Sequence, residues 1–480
     1  VLKRSLAWNA LGTLLPLAAA VLAVPLLIKG LGTDRFGLLT IVWALVGYAS
    51  LFDLGLGRAL TLIVAERLGR EDDQDLNPLL WTALWWLLGL GCLASLVLWV
   101  SAPYLVSGLG TPPALAPEAV MAFRVLAFGL PMVFVTSALT GVLMALQRFD
   151  VMTMVRLPLS LVTTLGPLLT LLVSPSLVWV SLLMLAARGL AVAAFAWRLG
   201  RLGSGWMRPR RPRRVLSRAL LAQGGWMTVT NVVGPLLSYL DRFLVGVLLG
   251  TAAVAWYVTP YEVLSRLNFI PGIVLGVLFP ALATAWTSND ARARALYSDA
   301  AIVLRHAMLA VCSVFLFFAE ELLAAWINTD FAREAAPVAR WLAVGVWINV
   351  LAHTPLISLQ SAGRADLVAK VHLIELLPYL AVLVWWTQVF GIAGTAAAWT
   401  ARVFVDTVLL NWLAQRVHPS LAAQVRRDAA WLLAGSTALG LGSLVQPPAF
   451  KLALLALVWA MAARVLWPYA QRMLKREIAP

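Results

Sequence analysis

Charged side chains are scarce in this chain: they make up 12% of its 480 residues, about half the share found in an ordinary soluble domain. The apolar share is 61% and mean hydropathy is +0.87. A soluble fold of this length cannot hide so much apolar surface, because single cores stop growing and chains split into domains. Lipid must take the place of water around most of it. Cysteine is almost absent. Cys92 and Cys312 both lie in apolar runs, where a thiol behaves as a small hydrophobe, so neither a disulfide framework nor a cysteine metal site is expected. The four histidines, His306, His353, His372 and His418, are far apart and form no metal motif; no cofactor is expected. Sizeable outer loops, where a membrane glycosyltransferase or ligase would normally place catalytic acids or metal ligands, are missing too. That argues against an enzyme. The pI of 10.7 would suit a nucleic-acid binder, but the basic residues form short clusters between apolar runs, the pattern of membrane-topology signals.

Long apolar runs are what the chain does have. A helix needs about twenty apolar residues to cross roughly 30 Å of hydrocarbon, and fourteen such runs are expected. Among them are 8–29, 37–63, 79–106, 119–146 and 252–284, then 367–390, 391–415, 429–446 and 449–468. The expected fold is all-α and polytopic, with about fourteen transmembrane helices. The first run follows Lys3 and Arg4 and holds small residues at Ala18 to Ala20, so a cleaved signal peptide competes with an anchored helix. Its length, with Pro25 near the end, favours the helix.

Orientation follows from where Lys and Arg collect, since short cytoplasmic loops are enriched in them. With the amino terminus inside, the outer segments carry only Lys29, Arg35, Arg333, Arg340 and Lys451, and both termini are cytoplasmic. The strongest vote is the segment holding Arg198, Arg201, Arg208, Arg210, Arg211, Arg213, Arg214 and Arg218 without an acid among them. As a topology anchor it is attracted to anionic lipid headgroups. It also divides the chain, giving an N-terminal lobe at 1–200, a linker at 201–219, a C-terminal lobe at 220–416, and accessory helices with a tail at 417–480. The halves carry a thin internal repeat. Trp8 falls on Trp226 and Leu31-Gly32-Thr33 on Leu249-Gly250-Thr251 at one offset, and Ala187-Arg188 matches Ala401-Arg402 at a slightly smaller one. Two six-helix bundles related by a parallel pseudo-two-fold, with two helices appended, are expected.

Charges left inside the apolar runs carry the chemistry. Arg58, Arg124, Arg156, Arg188, Arg242, Arg266 and Arg402 stand there, a set without a lysine. An arginine at a helix centre costs roughly 2.5–3.5 kcal/mol on insertion scales, so most should face a wet interior. Acids accompany them: Asp53 near Arg58, Asp241 beside Arg242, Glu262 four residues before Arg266, and Asp406 four after Arg402. The last two spacings put both charges on one helical face, where they could equally serve as self-neutralising pairs that hold helices. Arg188 has no acid within a helical turn, so its partner must come from another helix or from a substrate. Arginine's planar fork grips phosphate oxygens in bidentate fashion, so an excess of it at bilayer depth suits an anionic cargo such as a phosphorylated amphiphile. Pro16, Pro25, Pro131, Pro158, Pro167, Pro260, Pro271 and Pro280 invite kinks within the runs. His306, His353 and His372 are read first as helix-packing residues and second as groups that titrate during transport. The pairs Trp85-Trp86 and Trp385-Trp386 carry no sugar-stacking assignment from sequence alone.

The run Phe52-Asp53-Leu54-Gly55-Leu56-Gly57-Arg58-Ala59, after Leu31-Gly32 and Phe36-Gly37, resembles the amino-terminal pattern of polysaccharide flippases. These are the Wzx-type branch of the multidrug/oligosaccharidyl-lipid/polysaccharide exporter superfamily. Asp241-Arg242-Phe243-Leu244-Val245-Gly246, Tyr257, Pro260-Tyr261-Glu262-Val263-Leu264 and Leu278-Phe279-Pro280 are similar to that branch in the same order. So are Gln360-Ser361-Ala362-Gly363-Arg364 and Gly391-Ile392-Ala393-Gly394-Thr395-Ala396, followed by Arg402 and Asp406. The resemblance implies a multi-pass protein of the bacterial inner membrane that moves an undecaprenyl-diphosphate-linked oligosaccharide from the cytoplasmic to the periplasmic leaflet by alternating access. A cationic central cavity would receive diphosphate and glycan while the lipid tail stays in the bilayer. It would work beside a polysaccharide polymerase and chain-length machinery, with membrane lipids as its other partners and no nucleic acid. Arg58, Arg188, Arg242, Arg266 and Arg402 are the expected substrate contacts, with Asp53, Asp241, Glu262 and Asp406 holding or releasing them. Arg124 and Arg156 fall near run ends and are set aside for the headgroup region, and Arg305 and Arg464 are set aside as lying near helix ends. A lipid II flippase uses similar cationic physics. A drug antiporter of the same superfamily would instead need intramembrane acids for a cationic cargo.

Overall fold

The computed structural model describes residues 2–49, 53, 55–69, 76–202, 206–218, 220–221, 240–443 and 447–478. Among these the regular structure is helical throughout, with no strand. The helices are α1 Leu2–Leu31, α2 Thr33–Ala49, α3 Leu56–Gly69, α4 Leu76–Gly108, α5 Ala116–Ala127, α6 Leu130–Ala145, α7 Phe149–Leu171 and α8 Leu177–Leu202. They continue with α9 Thr251–Arg266, α10 Phe269–Ser288, α11 Asp290–Trp326, α12 Thr329–Ser361, α13 Ala365–Val417, α14 Ala422–Ser443 and α15 Pro448–Ile478. Residues 240–249 are also helical. Eight segments among the described residues are long and apolar enough to cross a membrane. One of them, α13, is 53 residues long and bends at Gly391, so it holds the expected runs 367–390 and 391–415 in one element.

Several runs that read as single helices are broken. The run 37–63 divides into α2 and α3, with Asp53 and Gly55 outside either helix. The run 119–146 divides at Phe128 and Gly129, and 252–284 divides at Leu267 and Asn268. Apolar composition does not register such breaks, because the residues that make them are themselves apolar or small.

The repeat is deeper in the backbone than in the letters. Gly32 (φ +81°) and Gly250 (φ +89°) hold the same left-handed turn, each followed by a threonine that starts a helix, α2 or α9. Glycine is the residue that takes this conformation without a Cβ penalty. Under the same offset the helix ends Ala49 and Arg266 match to within one residue, whereas the next helix starts, Leu56 and Phe269, differ by five. A second motif recurs before α7 and α13. Gln147 (φ +55°) and Gly363 (φ +74°) turn the chain, and the next arginine pairs with an aspartate two residues on: Arg148 with Asp150 at 2.9 Å and Arg364 with Asp366 at 3.1 Å.

The chain forms two compact units, Val1–Ala255 and Trp256–Pro480, so the division falls within α9 and beyond the 201–219 linker. Residues before it are tied to the first unit. Thr251 Oγ1 donates to Asp34 Oδ1 at 2.6 Å, and Gly37 packs so closely on the Thr251 carbonyl that a Cβ would collide with it. In that unit α4 packs on α5 and α6, α3 on α6, α1 on α7, and α8 on α5 and α7. At one edge Arg35 grips Glu118 with Nε and Nη2 at 3.0–3.3 Å. Glu118 also accepts from the Leu177 amide at 2.7 Å, joining the starts of α2, α5 and α8.

In the second unit α12 lies between α11 and α13, with α10 against α11 and α12, and α15 along α11. Trp347, fully buried on α12, donates from Nε1 to the Arg305 carbonyl at 3.2 Å. Gly435 on α14 leaves room for its ring, and Gly345 does the same for Trp399. Small residues that let helices approach are how packing is gained where lipid offers no hydrophobic drive.

Candidate functional site

Asp53 is buried and committed to local structure. Its Oδ1 accepts from the Gly55 amide at 2.9 Å and its Oδ2 from the Gly57 amide at 3.3 Å, capping α3 as side-chain oxygens do at helix starts. The Ser137 hydroxyl of α6 donates to the same Oδ2. Thr61 Oγ1 then donates to the carbonyls of Gly57 and Gly141 at 3.0 Å each. A Cβ on Gly57 would strike Ser137, and one on Gly141 would strike the Gly57 carbonyl. The Asp-Leu-Gly-Leu-Gly run is therefore a helix-crossing device. Arg58 follows it with an exposed side chain.

Arg188, on α8, lies against the α5–α6 break. Its Cδ is 3.6 Å from where a Cβ on Gly129 would stand. Among the described residues it makes no ion pair, and its Nε is buried without a hydrogen-bond partner. Arg124 on α5 places its guanidinium 4.5 Å from the centre of the Trp99 ring, a cation–π contact. Asp241 and Arg242 are both buried, and the Arg242 amide donates to Asp241 Oδ1 at 2.8 Å. Arg156 is exposed on α7.

In the second unit Glu262 and Arg266 meet as their spacing suggests, at 3.5 Å on an exposed face of α9. Arg402 and Asp406 do not pair. The bend at Gly391 folds α13 back on itself, so that Thr387 and Thr395 hydrogen-bond across the turn at 2.8 Å. Residues on the two arms of the bend then face one another. Asp406, buried, stands 3.5 Å from His372 Nε2, and the Arg402 guanidinium lies 5.7 Å from the Tyr379 ring centre. Between them sits Glu375, 5% exposed, both of whose carboxyl oxygens are buried without a hydrogen-bond partner. It feels the charges of Asp406, Arg402 and His372 through space, and His353 on α12 feels Asp406.

Glu375 is the residue sequence reasoning missed. An acid in the middle of an apolar run was a signal, but its value depends on the fold-back at Gly391. Arg305 was set aside as lying near a helix end, yet its Nη1 bonds Asp428 Oδ1 of α14 at 2.9 Å with both side chains about 5% exposed or less. The pKa of Arg148 is raised by its bond to Asp150. His418, stacked on Trp286 with ring centres 3.6 Å apart, is lowered by burial against a smaller opposing pull from Asp290.

This arrangement has known counterparts. A candidate O-antigen transporter of Shigella flexneri is 26% identical over 425 residues, covering 87% of this chain and 98% of that protein. The inward-facing structure of a multidrug resistance MATE transporter of the MOP superfamily aligns with TM-score 0.71 at 16% identity, over 84% of this chain and 94% of its own. The lipid II flippase MurJ, in an inward closed conformation, aligns with TM-score 0.70 at 11% identity, over 96% and 99%. The fold is thus that of MOP superfamily transporters, and the chain is a multi-pass membrane protein. With residues 2–286 matching its defining pattern, the chain belongs to the polysaccharide biosynthesis protein family.

Proposed function

We propose that the chain is a flippase for an undecaprenyl-diphosphate-linked oligosaccharide, carrying it from the cytoplasmic to the periplasmic leaflet of a bacterial inner membrane during surface polysaccharide synthesis. Both termini lie in the cytoplasm, and two six-helix lobes, 1–200 and 220–416, alternate access while helices in 417–480 are accessory. A polymerase and chain-length machinery act on the product. Arg58, Arg188, Arg242, Arg266 and Arg402 supply the cationic lining of the route, and Asp241, Glu262 and Asp406 modulate them. Asp53 acts by fixing the helix that carries Arg58.

The observation that supports this reading best is Arg188. A guanidinium near bilayer depth is expensive unless something answers it, and no described carboxylate does. A diphosphate would, through bidentate hydrogen bonds. Arg402, turned from Asp406 towards Tyr379, is similarly available. The test is leaflet exchange of a fluorescent lipid-diphosphate oligosaccharide in vesicles containing the purified protein. Arg188→Ala and Arg402→Ala should each abolish exchange while leaving folded protein in the membrane. Full exchange by every single and paired arginine variant would retire the reading.

A further inference from the structure

The arginine-rich linker is fixed to α4, and the fixing leaves a groove. Five side chains on one face of α4 hold the linker backbone and one of its hydroxyls. Asn77 Nδ2 donates to the Arg208 carbonyl, Trp81 Nε1 to the Trp206 carbonyl and Trp85 Nε1 to the Arg210 carbonyl, each at 3.2 Å. Trp86 Nε1 donates to Ser217 Oγ at 3.1 Å, and Thr82 Oγ1 accepts from the Arg213 amide at 3.3 Å. Pro209 and Pro212 bring no amide hydrogen of their own, so these bonds define the linker's course. They do so without using its guanidinium groups. Arg208, Arg210, Arg211, Arg214 and Arg218 are exposed and have no ion pair among the described residues. The acids Glu71, Asp72, Asp73 and Asp75 precede the Asn77 end of this surface in sequence. Arg214 lines it beside Trp85 and Trp86, two to three turns further along α4.

There the linker and α4 enclose a groove of about 640 Å³, walled by Trp85, Trp86, Gly89, Leu93, Pro212 and Arg214 among others. That volume lies within the range of small-molecule sites. Gly89 forms an open floor, since a Cβ there would meet nothing within 4 Å. At 33 residues, α4 is about 50 Å long and overhangs roughly 30 Å of hydrocarbon by about 20 Å. The linker covers the Asn77 end of this overlong helix, so the groove is assigned to the interface of that leaflet, with Leu93 about two turns further along α4 than the indoles. Indoles and arginines are the side chains that suit this depth.

We propose that this groove binds one acidic phospholipid from the leaflet on the linker's side, its phosphate on Arg214 and an acyl chain along Trp86, Gly89 and Leu93. One guanidinium in an otherwise apolar wall matches a single phosphodiester rather than a diphosphate. The site is separate from the transport arginines and stands whether or not the cargo is a lipid-linked glycan.

Native mass spectrometry of the full chain, extracted from vesicles of equal phosphatidylglycerol and phosphatidylcholine with identical acyl chains, provides the test. The wild type should retain one phosphatidylglycerol in preference. Arg214→Gln should cut that preference about fivefold, the effect of one arginine near a charged lipid surface. Gly89→Leu should abolish retention with every charge intact, because it fills the floor without a clash. Equal retention of the two lipids, or loss with Arg214→Gln but not Gly89→Leu, would overturn the groove in favour of diffuse surface attraction. Displacement of phosphatidylglycerol by an equimolar polyprenyl diphosphate would overturn the choice of occupant.

Discussion

Replacing Asp428 by Leu tests whether the buried Arg305–Asp428 pair holds α14 to α11. The pair is 2.9 Å apart with 5% and 4% of the side chains exposed. Gln424 Nε2 donates to the same Asp428 oxygen at 3.0 Å, and the Trp431 ring lies 4.8 Å from the Arg305 guanidinium. Water cannot screen such a pair, so the small values typical of surface salt bridges do not apply. Removing one partner strands the other charge, which costs about 3–5 kcal/mol; the Trp431 contact is already made in the wild type and does not offset that loss. A loss of about 3–5 kcal/mol follows for Asp428→Leu. The double variant Arg305→Met with Asp428→Leu strands nothing and should lie within about 1 kcal/mol of wild type. Both are read by unfolding in mixed micelles with increasing denaturing detergent. If Asp428→Leu costs under about 1 kcal/mol, or the double variant is as unstable as the two single losses combined, the pair is not what joins these helices.

Three more outcomes are expected. Gly391 sits at φ +62°, ψ −148°, a region open essentially to glycine alone, so Gly391→Ala should destabilise by about 1–3 kcal/mol; Gly272→Ala, with open space around its Cβ, should not, and equal melting of the two would refute the bend. Glu375→Gln should leave the protein folded and slow leaflet exchange about tenfold, equivalent to roughly 1.4 kcal/mol of barrier, whereas an unchanged rate would exclude Glu375 from the cycle. Because burial lowers His418 from its ordinary 6.5, the unfolded chain takes up the proton first as pH falls. Stability should be full above about pH 6.5 and decline below it. His418→Phe, which keeps the stack on Trp286, should show less decline between pH 7.5 and 5.5 in the same unfolding assay.

Fold class was legible because it follows from composition and run length alone. Helix interiors were legible too, but their breaks at Asp53–Gly55, Phe128–Gly129 and Leu267–Asn268 were not. Only backbone geometry shows that a glycine or a capping aspartate there ends one helix and starts the next. Local charge pairs were readable where the helix supplies the partner, as for Glu262 and Arg266. They misled where a bend brings a nearer one, as when Gly391 delivers His372 to Asp406. Partners more than a hundred residues apart, such as Arg305 and Asp428, leave no trace in spacing. The thin repeat at Leu31-Gly32-Thr33 and Leu249-Gly250-Thr251 proved informative for a physical reason: both glycines hold a left-handed turn that other residues resist.

Sorting the intramembrane charges by what answers them separates holding from working groups. Asp53 is spent on two amides and a hydroxyl, Arg305 on Asp428 and Arg124 on an indole face; moving any of these would break a helix contact. Arg188 has no ion pair among the described residues, and Glu375 has no hydrogen bond to either oxygen. A ligand or a proton would answer such groups, which is the asymmetry the proposed transport cycle requires, since a ligand shifts an equilibrium only by its differential affinity for the two states. A chain selected for helix packing alone would have paired Arg188 or replaced it with leucine, which is favourable in hydrocarbon. Restoring a partner should therefore be more harmful to transport than removing the charge is to folding. Met132, whose thioether lies within 4 Å of the Gly189 Cβ position, is a place to introduce one. Met132→Glu should stabilise the fold and stop exchange, while exchange at the wild-type rate would show that Arg188 is a packing residue after all.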